Sequence, residues 1–309
     1  ADELNLEHDN IMLEACNTSF QIHFQVGASE FAHLYNLAQL VTGPVLAASA
    51  NSAILLGKRL WQETRIALFQ QSVDVRTAAQ QARGHRTRVR FGDAWLRGGI
   101  VDLFREDLAR FRIVLSTELG EPSSVLYDRG ELPPLTALCL FNGTVYRWNR
   151  PCYGIKDGVA HLRIENRVLP SGPTVADETA NAAFFFGLMA ALSKEIGDPA
   201  DKVPFDIARN NFVAAARYGL DAQFHWFDDQ IMTAQRLISE ILLPKARVGL
   251  QGQNIDSADI DRYLGIIEDR TRLRHTGARW MIESLDGMHS GSADLKLRAL
   301  VKAMERRQE

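Results

Sequence analysis

An α+β fold is predicted for this chain, on two observations. Residues 16–26 and 159–169 alternate apolar and polar side chains with a period of two, which puts one set on each face of a β-strand. From Pro173 onward the apolar positions recur at helical spacing instead. Strands early and helices late favour a sheet backed by helices over an alternating doubly wound fold.

The chain is organised around the strand at 16–26. Cys16, Thr18, Phe20, Ile22, Phe24 and Val26 form one face, and Asn17, Ser19, Gln21, His23 and Gln25 the other. The second face is a row of amides, a hydroxyl and an imidazole, without the Lys and Glu that a solvated strand more usually carries. Such groups suit a half-dry cleft where each must find a hydrogen-bond partner. A surface strand with a neutral polar face is the other reading.

Of the 309 residues 46% are hydrophobic and 24% charged, ordinary values for a globular protein, and the length suits one large or two modest domains. The net charge of −3 gives no reason to expect nucleic acid or an anionic membrane as partner. Cys16, Cys139 and Cys152 lie far apart and lack metal-binding spacing. Their sparse, odd count fits a reducing compartment, so a cytoplasmic location is expected. The longest apolar run, 184–192, ends before Lys194 and Glu195, short of a membrane span.

Ser29 offers a cap for a helix from Glu30, with Phe31, Leu34, Leu37, Ala38 and Val41 on one face. Gly43-Pro44 is expected to break it, with a second buried helix over 45–54. Residues 59–76 have weak periodicity and read as irregular. Residues 83–90 hold four arginines and a histidine, either a cradle for phosphate or carboxylate or a solvated loop. Residues 98–115 are amphipathic, with Ile100, Leu103, Phe104, Leu108, Phe111 and Val114 sharing a face.

Residues 138–148 read as a β-hairpin with Asn142-Gly143 at its turn, because Asn-Gly supplies the positive φ angles that a two-residue turn needs. In 159–169, Leu162, Ile164 and Val168 face one way, and His161, Arg163, Glu165 and Arg167 the other. That charged face is either cross-strand ion pairing or a carboxylate placed for a metal beside an arginine placed for a phosphate. Thr174 and Asp177 resemble a capping box. Further helices are expected at 206–218, 229–243, 258–269, 277–285 and 293–306. His225, His275 and His289 lie near loops or helix ends and read as incidental.

Four stretches together resemble the glutamate–cysteine ligase family of carboxylate–amine ligases. They are Thr18-Ser-Phe-Gln-Ile-His23, Ala48-Ser-Ala-Asn-Ser52, Arg59-Leu-Trp61-Gln-Glu-Thr-Arg65 and His161-Leu-Arg-Ile-Glu165-Asn-Arg167, followed by Pro170 and Pro173. The resemblance covers most of the chain. It implies a glutamine synthetase-like domain, in which a curved antiparallel sheet holds ATP and Mg²⁺ or Mn²⁺ on its polar face. It implies an ATP-dependent ligase that activates an amino-acid carboxylate, that of the glutamate side chain, and joins it to an amine such as cysteine. By the same resemblance His23 and Glu165 are metal ligands and Arg167 contacts phosphate. Arg59 and Arg65 lie near substrate and the transferred phosphate, and Gln21 and Asn51 support the nucleotide.

The sequence departs from the family in one place: it contains no Glu-x-Glu, the motif whose carboxylates supply further metal ligands in the family's opening strand. The chain begins at Ala1, almost directly before the polar-faced strand. Either an upstream segment is missing, or this is a catalytically degenerate module that binds nucleotide or amino acid for regulation. Small-molecule substrates are the expected partners, with another copy or an upstream fragment pairing at the exposed sheet edge.

Overall fold

The computed structural model describes residues 3–7 and 9–308, and their fold is α+β. A short helix, α1 (Met12–Ala15), precedes β1 (Ile22–Val26). The strand is shorter than its alternating pattern, because residues 16–21 join the sheet only through one bridge between Ser19 and Pro170. Within β1 the alternation holds: Ile22 and Val26 are buried, His23 and Gln25 exposed.

Gly43-Pro44 does not break a helix. One helix, α2 (Phe31–Ser49), runs through it, buried without interruption from Tyr35 to Ser49. An interior proline forfeits a hydrogen bond and strains the turn, at a cost of about 3 kcal/mol. Burial of this nearly all-apolar helix offsets that. Gly43 serves packing: a Cβ there would lie 3.3 Å from the backbone of Asn211 and Phe212. Glu30, not Ser29, is the N-cap residue, and its Oε1 accepts the Gly27 N–H at 2.8 Å.

The stretch expected to be irregular is ordered. β2 (Ile54–Leu55) and β3 (Lys58–Arg59) form a small hairpin, and α3 (Arg65–Ser72) follows. Next come α4 (Ala78–Ala82), β4 (Val89–Arg90) and α5 (Ile100–Arg110). α5 buries Ile100 and Leu103 but ends at Arg110, which leaves Val114 of the expected apolar face exposed.

The hairpin expected around Asn142-Gly143 is absent. After α6 (Ser123–Asp128), those residues close a helix, α7 (Thr136–Gly143), and the Asn142 amide donates to the Pro151 carbonyl at 2.7 Å. β5 (Tyr146–Arg147) pairs in parallel with β4. The true hairpin joins β6 (Asn149–Lys156) to β7 (Val159–Asn166). Its turn is Asp157-Gly158, both at positive φ (51° and 72°), as a two-residue turn of matching twist requires. The main sheet is antiparallel throughout, in the order β1-β7-β6.

The helical second half begins with α8 (Val175–Glu195) and α9 (Phe205–Tyr218). Thr174 caps α8, its Oγ1 accepting the Asp177 N–H at 3.2 Å, but the Asp177 carboxylate turns to Arg270 at 2.7 Å instead of completing a capping box. A short hairpin, β8 (Gln223–His225) with β9 (Ile231–Thr233), occupies the start of the helix expected over 229–243. That helix begins at α10 (Ala234–Leu237), passes through a π-helical turn (Ile238–Leu242) and continues as α11 (Leu243–Gln251). α12 (Ser257–Leu273), α13 (Gly277–Asp286) and α14 (Ala293–Gln308) complete the chain.

The core lies between the apolar face of the sheet and the helices. Phe24 of β1 meets Phe185 and Phe186 of α8, with ring centroids 5.8 and 6.4 Å apart. The opposite, polar face of the sheet is left for a site. Among the described residues no helix is long and apolar enough to cross a membrane.

Candidate functional site

Strand register places the polar residues. His23 of β1 stands opposite Glu165 of β7, which stands opposite Arg150 of β6; Gln25, Arg163 and Cys152 form the next row. Alternate residues share a face, so both rows project from one side of the sheet. His23, Cys152 and Glu165 each offer a ligand atom, and these atoms lie within 4.8 Å of one another.

Glu165 is fully buried. Its Oε2 accepts from Arg150 Nε at 2.6 Å and lies 3.5 Å from the Cys152 sulfur. Its Oε1 has no hydrogen-bond partner, although Arg167 Nε is 3.2 Å away. Arg167 Nε and Nη1 and Arg163 Nε are buried and equally unpartnered. The Arg167 guanidinium lies over the rings of Phe69 and Tyr146, at 5.9 and 5.8 Å. Two guanidinium groups, those of Arg150 and Arg167, therefore converge on one carboxylate.

Burial lowers the His23 pKa below its ordinary 6.5; Glu165 opposes this, while Arg163, Arg150 and Arg167 reinforce it. Burial, with Glu165 adding to it, pushes the Cys152 thiol up to about 11. Burial also pulls the Arg167 pKa down, Arg150 adding to the effect and Glu165 opposing it. At neutral pH the imidazole and the thiol are uncharged. The face is cationic.

Two cavities adjoin the arginines of this cluster. The larger, about 390 Å³, is lined by Gln21, Arg65, Phe69, Tyr146, Trp148 and Arg167 among others, with Glu14 contributing from α1. Arg65 is held there from below. Its Nε is 3.2 Å from Glu63 Oε1, and its Nη2 donates to the Val168 carbonyl. Glu63, wholly buried, also accepts from the Asn51 N–H at 2.8 Å and from Ser52 Oγ at 2.7 Å. The smaller cavity, about 170 Å³, lies beside Arg150, Cys152 and Arg163 and is walled by Phe104, Leu138 and Cys139.

The structure thus gathers Gln21, His23, Arg65, Glu165 and Arg167 along one face. It does not bring Arg59 there: that side chain is exposed on β3, 4.0 Å from Asp286. The Asn51 amide donates to the Ser171 carbonyl at 2.7 Å, so Asn51 reaches the site only through Glu63. Arg150, Cys152, Tyr146 and Trp148 escaped the sequence reading. The signal for Arg150 and Cys152 was Asp157-Gly158, which pairs 149–156 with 159–166 and places both on the polar face. In the basic cluster at 83–90, Arg90 is buried against Asp93 at 2.6 Å, and Arg88 donates to the Thr144 and Arg112 carbonyls at 3.0 and 2.6 Å. Those two arginines are packing groups.

The donor set can be tested against a divalent metal. Mg²⁺ requires an octahedral shell of oxygens, and this cluster offers one carboxylate. These residues alone do not make a Mg²⁺ site. Mn²⁺ accepts imidazole nitrogen, and Glu165 together with His23 offers such an ion one carboxylate and one imidazole.

A crystal structure of a glutamate–cysteine ligase from Francisella tularensis in complex with AMP is similar at 12% identity and a TM-score of 0.44. The similarity covers 90% of this chain and 59% of that one, so this chain spans about three fifths of that protein. No curated protein matches by sequence. The profile of glutamate-cysteine ligase family 2 matches residues 3–302, nearly the whole of the chain. On that match, the chain belongs to glutamate-cysteine ligase family 2.

Proposed function

We propose that the polar face of the sheet is the active face of an ATP-dependent ligase. It activates an amino-acid carboxylate, that of the glutamate side chain, as an acyl phosphate and joins it to an amine such as cysteine. The reading rests on one juxtaposition: Glu165 Oε1 and Arg167 Nε, both buried and without a hydrogen bond, form an ion pair at 3.2 Å. A buried carboxylate beside a buried guanidinium, neither fully satisfied by hydrogen bonds, is the pairing that a metal and a phosphate would complete.

In this reading the larger cavity takes the nucleotide, with Phe69, Tyr146 and Trp148 as apolar walls and Gln21 as a polar contact. A substrate carboxylate oxygen attacks the γ-phosphorus, the β–γ bond breaks and ADP leaves. The amine then attacks the acyl carbon and phosphate departs. Arg167 and Arg65, fixed before substrate arrives, stabilise the charge that moves through the phosphoryl group. His23 and Glu165 would hold one Mn²⁺ ion, which when bound would supply further neutralisation of phosphate charge. His23 is suited to this because its depressed pKa leaves the ring neutral at pH 7.

Residues 1–309 are read as one catalytic domain acting on small molecules in the cytoplasm. β1 forms one edge of the sheet, the place for another copy or an upstream segment to pair. A second reading, a non-catalytic module that binds nucleotide or amino acid, draws on the single carboxylate of the cluster, already hydrogen-bonded to Arg150. An ADP-release assay with ATP, L-glutamate, L-cysteine and either metal separates the two. The ligase reading expects ADP release that depends on the acid and disappears in Arg167→Ala. Nucleotide binding without ADP release selects the module.

A further inference from the structure

Glu63 is fully buried and lines neither cavity, so it stands behind the polar face and not on it. A carboxylate out of water persists only where hydrogen bonds hold its oxygens. Three donors hold this one. The Asn51 N–H meets Oε2 at 2.8 Å, while Ser52 Oγ at 2.7 Å and Arg65 Nε at 3.2 Å share Oε1. Every partner donates, so Glu63 acts purely as an acceptor.

Arg65 is gripped at both ends. Its backbone N–H goes to Ser52 Oγ at 3.2 Å, and its side chain gives Nε to Glu63 and Nη2 to the Val168 carbonyl. Among the described residues, Nη1 is the one guanidinium nitrogen of Arg65 with no hydrogen bond, and the side chain lines the larger cavity. The hold extends further through Asn51, whose amide donates to the Ser171 carbonyl at 2.7 Å. Val168 and Ser171 belong to the segment that follows β7 and begins with Arg167, so both arginines of the cavity are set against one frame. On its other side Asn51 abuts α13. A Cβ on Gly277 would lie 1.9 Å from Asn51 Oδ1, and the Ala278 N–H donates to the Ala50 carbonyl at 3.0 Å. A cation fixed ahead of its ligand needs no reorganisation when the charge arrives.

We propose that Glu63 is a positioning residue. It aims Arg65 at the transferred phosphate before the nucleotide arrives, and through Asn51 it ties that aim to the seating of α13. The role of Arg65 at the phosphate rests on the ligase reading, while the fixing of its guanidinium does not need turnover.

Two experiments test it. In a ¹⁵N NMR spectrum of the unliganded chain, the Arg65 Nε–H, assigned by its loss in Arg65→Lys, should exchange with water about a hundredfold more slowly than those of exposed arginines. Exchange at their rate overturns the proposal. Calorimetric titration with ATP and with AMP, Mn²⁺ present, then shows where the hold is felt. Glu63→Gln sets an amide N–H₂ against donors and should lower ATP affinity about tenfold or more, with AMP affinity within about twofold. A general loosening of the structure weakens both alike. Gly277→Ala, away from the cavity, should also weaken ATP and spare AMP. In an Arg65→Gln background, where no buried guanidinium is left unpaired, adding Glu63→Gln should change ATP affinity by less than about twofold.

Unchanged ATP affinity in Glu63→Gln, an equal loss for AMP, or the full further loss in the Arg65→Gln background overturns the proposal. Unchanged ATP affinity in Gly277→Ala overturns the tie to α13. Should Glu63→Gln fail to fold, the exchange rate and Gly277→Ala decide. ADP release keeps the two claims apart. Glu63-dependent ATP binding without ADP release from any acid leaves the positioning standing and ends the ligase reading. Acid-dependent ADP release with ATP affinity unchanged in Glu63→Gln does the reverse, and no ATP binding by the unmodified chain overturns both.

Discussion

His23 on β1 and Glu165 on β7 are direct partners in the antiparallel register, and both side chains leave the sheet on its polar face. One strand of the first 30 residues and one from the middle of the chain thereby place a nitrogen and an oxygen donor in a single cluster. The apolar halves of the same strands are in the core.

The pairing predicts how His23 titrates. An NMR titration should give its ring a midpoint below 6.5, because burial disfavours the charged form more than Glu165 favours it. Glu165→Gln should lower the midpoint further. The unfolded chain then binds this proton more readily than the folded one. The contribution to stability is full above about pH 6.5 and is lost as pH falls through the folded value. His23→Gln should accordingly flatten the decline of the thermal midpoint below pH 6.5. A ring midpoint at or above 6.5 contradicts the cause assigned here.

Two buried arginines should respond in opposite ways. Arg147 is held by Asp107 through bonds of 2.7 and 2.9 Å, both side chains almost wholly buried. Asp107→Ala leaves that guanidinium only Glu106, 3.3 Å away, and should cost about 3–5 kcal/mol in urea denaturation. The Arg167 side chain makes no hydrogen bond and pairs only with Glu165, at 3.2 Å, and Arg167→Ala should leave stability within about 1 kcal/mol while abolishing ADP release. Loss of fold in Arg167→Ala would assign it to the sheet's architecture instead.

α8 and α11 touch backbone to backbone at Gly187 and Gly249. A Cβ on Gly249 would sit 2.0 Å from the Gly187 carbonyl oxygen, and backbone cannot step aside as a flexible side chain does. Gly249→Ala should destabilise the protein by about 1–3 kcal/mol, as overpacking of a tight core does. A neutral effect on the denaturant midpoint would show that the helices separate freely.

The thiols should react in a set order. Cys16 is exposed, whereas Cys152 is buried with its pKa pushed up to about 11. At pH 8 the Cys152 thiolate is roughly a thousandth of the total. Alkylation mapped by mass spectrometry should label Cys16 within minutes and Cys152 only on unfolding. Early labelling of Cys152 would mean that the neighbouring arginines, not burial and Glu165, govern its charge.

Much of this was legible in the residues alone. Period-two alternation fixed which side chains share a face within each strand, and so put His23 with Gln25 on one face of β1 and Arg163 with Glu165 on one face of β7. Helical spacing located α9, α12, α13 and α14 to within a few residues, because amphipathic spacing is a local property that packing seldom overrides. Local signals misled where two conformations competed. Asn142-Gly143 suits a turn, yet Asn142 gains a buried bond to Pro151 and ends a helix. Gly43-Pro44 suits a break, yet burial on all sides carries α2 through.

The sequence by itself determined the fold class, the polar face and the chemical types on it. Only the tertiary structure decided that β6 lies beside β7, which brings Arg150 and Cys152 to Glu165. It also sent Arg59 to Asp286, away from the cleft. The reason is physical: alternation sets direction within a strand, whereas the neighbour of a strand is chosen by turn geometry and by the burial of distant apolar surface.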